Sequence, residues 1–269
     1  MEKRRYLPLM LLFLAGCGGV SNTPISPKAN VQITPQGQTV ISNIQTSSGN
    51  WRSWIQMPPA YADCLTPCFG TSIEEIFKVA EPSLSGNATM FELNPASPYA
   101  DGLFSAQLIG QNSPQIPDAN HAILPSIHNF IYDSYFYVTK DSITQVLEFD
   151  ISMYMNGVGM VWGTQCNHLG DGNWDIWDNV NNLWVSAGVP CQFVNGWNHV
   201  TLNLQRESDN TLLYQSIELN GTTYALNKTF PAGIADSGWW GVTANYQMDG
   251  NAIDTPNTTY VDNFSVTYW

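Results

Sequence analysis

The feature of this sequence that most limits its fold is a two-residue alternation of apolar and polar side chains. In segment 146–155, Leu147, Phe149 and Ile151 alternate with polar residues, and segments 199–205, 213–219, 222–226, 240–246 and 259–268 repeat the pattern. Asn220-Gly221, between two of these segments, is a typical hairpin turn. Such alternation is typical of strands with one buried face, so it predicts at least five strong strands.

Helical periodicity occurs only around residues 72–79, where Ser72 and Glu75 could form a capping box, so we expect a short helix there. Many strands, frequent Gly, Asn and Pro turns and at most one or two short helices predict an all-β fold, an antiparallel jelly-roll β-sandwich. A closed β-barrel is the alternative. Residues 49–269 have the length of one such domain.

Composition excludes several classes of protein. Charged residues make up 12% of the chain, which also carries 10 Trp, 12 Tyr and 11 Phe, so it is not a disordered chain. Beyond residue 20 no run of 18 apolar residues occurs, which excludes a polytopic membrane protein. A net charge of −13 argues against nucleic acid as a partner.

The first residues are typical of an export signal. A basic start at Lys3-Arg4-Arg5 precedes the apolar run 7–14, which is too short for a finished membrane helix. Leu14-Ala15-Gly16-Cys17 resembles the bacterial lipobox. This resemblance implies that residues 1–17 are a lipoprotein signal peptide, that Cys17 carries the lipid, and that Gly18 sorts the protein to the outer membrane or cell surface. The alternative is an ordinary signal with an incidental cysteine.

Cleavage would leave 6 basic and 21 acidic residues, a net charge of −15, so we expect membrane contact through the lipid anchor only. Residues 18–48 are rich in Ser, Thr, Pro, Asn and Gln and are expected to be a flexible tether. The four other cysteines predict two disulfides in an exported protein. Three pairings can form. We favour Cys64–Cys68 and Cys166–Cys191, which close short loops, over the alternative of a four-cysteine zinc site.

Three segments appear in a fixed order near the C-terminus, Gly196-Trp197-Asn198-His199-Val200-Thr201-Leu202, Ile217-Glu218-Leu219-Asn220-Gly221 and Tyr260-Val261-Asp262-Asn263-Phe264-Ser265-Val266. They resemble the C-terminal half of concanavalin A-like jelly rolls, a superfamily of lectins, laminin-G modules, glucanases and polysaccharide lyases. The resemblance covers roughly residues 130–269. It implies a sandwich in which outward-facing residues of one sheet form a groove suited to a sugar polymer.

Four of the ten tryptophans fall within residues 162–184, together with many Asn and Asp residues. Indole rings stack on the apolar faces of sugars, and Asn and Asp side chains bind their hydroxyl groups. The segment therefore predicts contact with a neutral polysaccharide or oligosaccharide, and burial of these tryptophans in the core is the alternative. The predicted carbohydrate-binding residues are Trp162, Trp174, Trp177, Trp184, Tyr154, His168 and Asp175.

Glu148 and Asp150 share the polar face of one predicted strand. Glucanases of the superfamily carry Glu-x-Asp-x-Glu or Glu-x-Asp-x-x-Glu there, with the first Glu as nucleophile and the last as acid/base. This chain matches only the first two positions, since Ser152 and Met153 follow. The resemblance implies catalytic roles for Glu148 and Asp150 only if another strand supplies the second carboxyl group that hydrolysis needs. A lyase acting on an acidic polysaccharide would need positive charge, which is scarce here.

The superfamily resemblance also implies a structural Ca²⁺, for which Asp262 is the candidate ligand. Segment 171–175 alternates oxygen-bearing side chains, but a turn with Asx hydrogen bonds explains the same pattern.

These observations predict a monomeric, lipid-anchored bacterial envelope protein that binds a neutral polysaccharide and no nucleic acid. A glycoside hydrolase or polysaccharide lyase on the same fold is one alternative. The other is a structural surface protein whose Trp-rich loop binds a protein partner.

Overall fold

Two packed β-sheets make up the protein. The computed structural model describes residues 28–56, 70–235 and 238–269. The strands in these ranges are β1 (Asn30–Ile33), β2 (Thr39–Ser42), β3 (Trp51–Gln56), β4 (Ser72–Val79), β5 (Ala88–Asn94), β6 (Asp101–Gly110), β7 (Ile116–Pro117), β8 (Asn129–Val138), β9 (Val146–Met155), β10 (Val158–Trp162), β11 (Thr164–Cys166), β12 (Asn173–Asp178), β13 (Leu183–Pro190), β14 (Gly196–Arg206), β15 (Leu212–Leu219), β16 (Thr222–Phe230), β17 (Gly233–Ile234), β18 (Gly241–Asp249) and β19 (Asn257–Tyr268). Short 3-10 helices lie at Ile44–Thr46, Ser48–Asn50, Leu124–Ser126 and Asp141–Ile143.

The first sheet has the order β1-β2-β19-β8-β14-β15-β16, and β5 joins it beside β19 and pairs with β4. The second sheet has the order β13-β12-β11-β9-β18-β6-β3, with β10 and β17 beside β9 and β7 beside β6. Among the described strands, the chain passes from one sheet to the other eight times, between β2 and β3, β3 and β4, β5 and β6, β7 and β8, β8 and β9, β13 and β14, β16 and β17, and β18 and β19. All pairings are antiparallel except the two-residue contact of β6 with β7. The predicted antiparallel jelly-roll sandwich is confirmed, and the closed barrel is excluded.

The alternation that predicted the strands reflects packing between the two sheets. On β9, Phe149 and Ile151 are fully buried and point toward the first sheet. The Phe149 ring lies 5.0 Å from that of Phe136 on β8 and 5.7 Å from that of Tyr246 on β18. Each such side chain contributes about 1.5–3 kcal/mol by leaving water. The core is therefore a layer of aromatic and aliphatic side chains held between the sheets.

The short helix expected at residues 72–79 is wrong, because this segment is strand β4 and pairs with β5. Ile73 and Phe77 face inward and Glu74, Ile76 and Lys78 face outward. Over only eight residues the apolar positions fit a helical period as well as a strand period, and the pairing partner decides between them.

The predicted tether, residues 18–48, is also wrong in its second part. Residues 30–33 and 39–42 form β1 and β2, and β2 pairs with the C-terminal strand β19. Ile41 and Ile44 are buried in the core. Each of these strands has only four residues, so the alternation of apolar and polar side chains is too brief to be recognised in the sequence. Residues 18–27 and the signal peptide 1–17, with Cys17, lie outside the described residues.

The predicted disulfide Cys166–Cys191 is present, with the two Cα atoms 5.5 Å apart. It joins the end of β11 to the segment that follows β13. The other predicted pair, Cys64–Cys68, lies outside the described residues. Within the described ranges, no helix is long and apolar enough to cross a membrane.

We expect removal of this disulfide to destabilise the protein. The bond closes a loop with a sequence separation of 25 residues, so the double variant Cys166→Ala/Cys191→Ala should lose about 3 kcal/mol of the free energy of unfolding, because its unfolded chain is less restrained. Urea denaturation of both proteins under non-reducing conditions measures the difference. An unchanged free energy of unfolding would show that the bond adds nothing to stability.

Candidate functional site

The candidate site lies on the outer face of the second sheet, which is the face turned away from the core. Because Phe149 on β9 points into the core, the alternate residues Glu148, Asp150, Ser152 and Tyr154 point outward. Glu148 and Asp150 are nevertheless only 5% and 6% exposed. These polar side chains are therefore recessed beneath the surface rather than spread over it.

Strand register places polar side chains of β18 and β6 next to those of β9. Asp150 lies opposite Asn245 on β18, and Asn245 lies opposite Ser105 on β6. The Ser105 hydroxyl donates a hydrogen bond to Asn245 Oδ1 (2.7 Å), and Asn245 Nδ2 donates to Ser152 Oγ (3.1 Å). A continuous polar row thus crosses three strands. The β6 and β18 residues of this row were not predicted as site residues, although alternation in segment 240–246 marks the outward positions of β18.

A second polar row runs through Glu148. Gln247 lies opposite Glu148, and its Nε2 donates to Glu148 Oε1 (2.7 Å) and to Asp249 Oδ1 (3.0 Å). On the other side, Gln165 lies opposite Glu148 and donates to Asp175 Oδ2 (2.8 Å). The floor of the site is thus built from carboxyl, amide and hydroxyl groups. Asp175, a predicted binding residue, lies on this floor and is buried.

Four of these residues form what we name the carboxyl cluster: Asp101, Glu148, Asp150 and Asp249. Burial raises the pKa of Asp150 to about 8 and that of Asp249 to about 7, although the Thr164 backbone N–H and the Gln247 amide oppose these shifts. Burial also raises the pKa of Glu148 and of Asp101 well above the usual range, and the neighbouring carboxyl groups add to both shifts. Near neutral pH the cluster therefore holds protons and can donate hydrogen bonds.

Trp177 and Trp184 form an indole pair beside this floor. They lie opposite each other on β12 and β13, with ring centroids 5.2 Å apart and planes at 67°, and both are half-buried. Gly163 leaves room for them, since a Cβ atom added there would lie 2.8 Å from Trp177 Cβ and 3.2 Å from Trp184 Cη2. The next residue, Thr164, donates its backbone N–H to Asp150 Oδ1 (2.9 Å). The indole pair therefore borders the carboxyl cluster at Asp150.

Two further tryptophans extend the aromatic border of this face. Trp239 packs on Tyr154, with ring centroids 5.3 Å apart, and over the backbone of Gly241. Trp54 lies on the edge strand β3 opposite Leu103. Neither tryptophan was selected from the sequence, because each lies outside the segment in which tryptophans are crowded.

Three of the predicted carbohydrate-binding residues do not reach this face. Trp162 and Trp174 are 0% exposed and pack in the core, so they cannot contact a ligand there. Trp174 lies three residues before Trp177 on the same strand and so has the opposite orientation. His168 stacks on the buried Phe193, with ring centroids 3.9 Å apart, and its Nδ1 is buried.

Asp262, the predicted calcium ligand, is instead a structural residue. It is fully buried and accepts hydrogen bonds from the Ser83 and Ser85 hydroxyls, the Leu84 backbone N–H and Gln45 Nε2. Burial alone would raise its pKa, but these donors hold the pKa below its usual range. Groups that donate hydrogen bonds occupy the positions that a cation would need. Across the described ranges, no three His, Cys, Asp or Glu side chains come together as a metal site.

Hydrolysis by Glu148 and Asp150 finds little support in this geometry. A retaining glycosidase needs an ionised nucleophile and a second carboxylic acid. Here the pKa values of both Glu148 and Asp150 are raised by burial. The third motif position is Ser152, whose hydroxyl accepts a hydrogen bond from Asn245. The arrangement is suited to hydrogen bonding with a ligand more than to bond cleavage.

Two surface depressions lie away from the carboxyl cluster. One, of about 200 Å³, is lined in part by Gln192, Asn220 and Tyr224. The other, of about 480 Å³, is lined in part by Lys28, Asn43 and Lys78. Neither contains the indole pair or any member of the carboxyl cluster.

The two antiparallel sheets pack face to face as a jelly-roll sandwich. No protein-family model matches this sequence, and no significant match is found among curated proteins. Similar solved structures include the cellulose-induced protein Cip1, which is 12% identical over 81% of this chain and 91% of that one, with a TM-score of 0.47. An endo-1,3-beta-glucanase from Streptomyces sioyaensis is 13% identical over 89% of this chain and 99% of that one (TM-score 0.44). The Emp47p carbohydrate recognition domain is 11% identical over 74% and 87% (TM-score 0.39). The strand order and register given above define the fold independently of these similarities.

The carboxyl cluster makes the stability of the protein depend on pH. Because the pKa values in the folded state are raised, the cluster's contribution is complete below the ordinary carboxyl pKa of about 4. It is lost as the pH rises through the folded pKa values of about 7 for Asp249 and about 8 for Asp150. We expect the free energy of unfolding to fall from pH 5 to pH 9 by at least about 1 kcal/mol per titrating group.

Urea denaturation at a series of pH values measures this decrease. Asp249→Asn, which cannot ionise, should show a shallower decrease, whereas the exposed Asp209→Asn should follow the wild type. A free energy of unfolding that rises with pH over this range would contradict the expectation.

Proposed function

We propose that this protein binds a neutral glycan on the outer face of the second sheet. The observation that carries the proposal is the half-buried pair Trp177–Trp184 beside a recessed floor of amide, hydroxyl and carboxyl groups. Indole rings can stack on the C–H faces of sugar rings, and the floor can exchange hydrogen bonds with sugar hydroxyls. An aromatic border around a polar floor is typical of ligand sites.

The charge of the chain supports an uncharged ligand. The chain carries 9 Lys and Arg against 22 Asp and Glu, a net charge of −13. The polar rows through Asp150 and Glu148 contain no lysine or histidine among the described residues, and Arg52, on the edge strand β3 opposite Ser105, ends the row through Asp150. One arginine at the edge of an acidic floor offers little attraction for an acidic polysaccharide or a nucleic acid.

The extent of the site supports a chain of sugars over a single one. Trp54 lies on β3 and Trp184 on β13, the two ends of the strand order of the second sheet. Six strand spacings separate them, or about 29 Å along the sheet. A ligand that contacts aromatic rings at both ends would need several sugar units in a row.

We also propose that Cys17 carries a lipid that anchors the protein at the outer membrane or cell surface, as the resemblance of residues 14–17 to a lipobox implies. Lys3, Arg4 and Arg5 before the apolar run support an export signal. Cys17→Ser should move the protein from the membrane fraction to the soluble fraction of cells. Equal recovery of both forms from membranes would contradict the anchor.

Loss of one indole should weaken glycan binding. For Trp184→Ala in the full-length protein, we expect about a tenfold rise in the Kd, since one stacking contact contributes about 1.4 kcal/mol. Quenching of tryptophan fluorescence by a panel of neutral polysaccharides measures the Kd. Trp197→Ala is the matched control, because Trp197 is also half-buried and packs edge-on against an aromatic ring, but on the outer face of the first sheet.

The outcomes separate the alternatives. Binding that is weakened by Trp197→Ala and not by Trp184→Ala would place the ligand on the other sheet. No binding over the whole panel, together with a stoichiometric polypeptide recovered from the cell envelope, would favour a protein partner. Mass analysis of the bound glycan tests cleavage in the same samples, since new reducing ends would identify a hydrolase.

A further inference from the structure

The crowding of carboxyl groups on the candidate site has a consequence for the ligand. Asp101 on β6 and Asp249 on β18 lie opposite each other. Gln247, two residues before Asp249 and on the same face of β18, lies opposite Glu148 on β9. The amide of Gln247 is shared between Glu148 and Asp249. Carboxyl groups packed this closely cannot all carry a negative charge at once without strong mutual repulsion.

Basic side chains do not neutralise the cluster. At one edge of the sheet, Arg52 Nη1 donates to the carbonyl oxygens of Gly49 and Trp51. At the other edge, Lys228 Nζ donates to the Ser186 carbonyl. The charges that act on Glu148 are those of other carboxyl groups only. Of the residues outside the described ranges, 57–69 and 236–237 contain no Lys, Arg or His, and the basic residues Lys3, Arg4 and Arg5 lie in the predicted signal peptide.

One atom of the cluster also lacks a donor. Asp101 Oδ1 is buried, and no hydrogen bond from the described residues reaches it. A buried carboxylate oxygen without a donor is costly, whereas a carboxylic acid at the same position carries its own proton. This geometry independently indicates that Asp101 is protonated in the folded protein.

We propose that Glu148, Asp150 and Asp249 bind the glycan as protonated acids that donate hydrogen bonds to its oxygen atoms, so that the site releases its ligand as the pH rises from neutral to alkaline. This inference rests on the proposed function of the same site. It assigns to these three residues the role of hydrogen-bond donors, whereas ionised carboxylates could only accept hydrogen bonds. It also explains why a neutral floor can be built from acidic residues in an acidic protein.

Alkaline pH weakens ligand binding in two ways. Each carboxyl group that loses its proton can no longer donate a hydrogen bond. The negative charges that this loss creates repel one another across strands about 4.8 Å apart. The titration of Asp150 and Asp249 falls in this range, since burial raises their pKa values to about 8 and about 7. Besides Asp101, the titratable and charged groups around these three residues are Asp175 and Arg52, which lie in the same rows on β12 and β3. Tyr154 lies farther along β9, and Tyr132 and Tyr214 lie on the core side; the charge of Asp150 acts on all three.

The test is the affinity of the full-length protein for one neutral polysaccharide from the panel, measured from pH 5 to pH 9. We expect a constant Kd up to about pH 7 and then a rise of about tenfold for each pH unit while one group must be protonated. Calorimetry at pH 8 in two buffers of different ionisation enthalpy should show proton uptake on binding. Circular dichroism at each pH verifies that the protein stays folded.

Two amide variants separate the donor role from simple charge. Asp249→Asn and Glu148→Gln keep a donor that cannot ionise, so their Kd values should vary less with pH, and proton uptake at pH 8 should fall. Asp209→Asn is the control, because Asp209 is exposed and lies in the turn between β14 and β15; it should keep the wild-type pH profile.

The possible results are distinct. A Kd that is equal at pH 5.5 and pH 8.5, without proton uptake, would overturn the donor role and leave glycan binding in place. A Kd that falls with increasing pH would show that the groups bind as carboxylates and would also overturn it. No binding at any pH would overturn both this inference and the proposed function.

Discussion

Packing of aromatic and aliphatic side chains between two sheets is the constraint on which the rest of this structure depends. Phe136, Phe149 and Tyr246 meet in the core from β8, β9 and β18, so three strands from two sheets share one cluster. Because side chains alternate along a strand, every residue fixed inward fixes its neighbours outward. The positions of Glu148 and Asp150 on the outer face thus follow from the burial of Phe149 and Ile151.

The same constraint explains how distant segments assemble one site. Asp101, Asp249 and Glu148 are far apart in the sequence, and the antiparallel register of β6, β18 and β9 brings them to adjacent rows. A slip of one residue in any of these strands would exchange the polar face for the apolar one. The core therefore determines the register, and the register determines the chemistry of the outer face.

A strand can be predicted from the sequence when its own residues determine its structure, and not when pairing with a distant segment determines it. Strands β9 and β14 are predictable because their alternation continues over ten or more residues. β2 is not, because its stability comes from pairing with β19 at the other end of the chain. β4 is not, because its eight residues fit two periods. The crowding of tryptophans in segment 162–184 indicates an aromatic site. Which of them are buried depends on where each strand begins, and this distinguishes the buried Trp174 from the half-buried Trp177 on β12.

An acidic protein with a recessed acidic floor has two ways to limit repulsion, which are to bind a cation or to retain protons. Arg52 and Lys228 are engaged with backbone carbonyls at the sheet edges. Burial favours retention of protons, because it raises the pKa of Asp150 to about 8 and that of Asp249 to about 7. Retained protons convert the carboxyl cluster from a repulsive patch into a set of hydrogen-bond donors and acceptors. Together with Trp177 and Trp184, such groups complement the two surfaces of a neutral sugar, its apolar ring face and its hydroxyl edge. The burial that costs the cluster its charge is thus the property that makes it suited to an uncharged ligand.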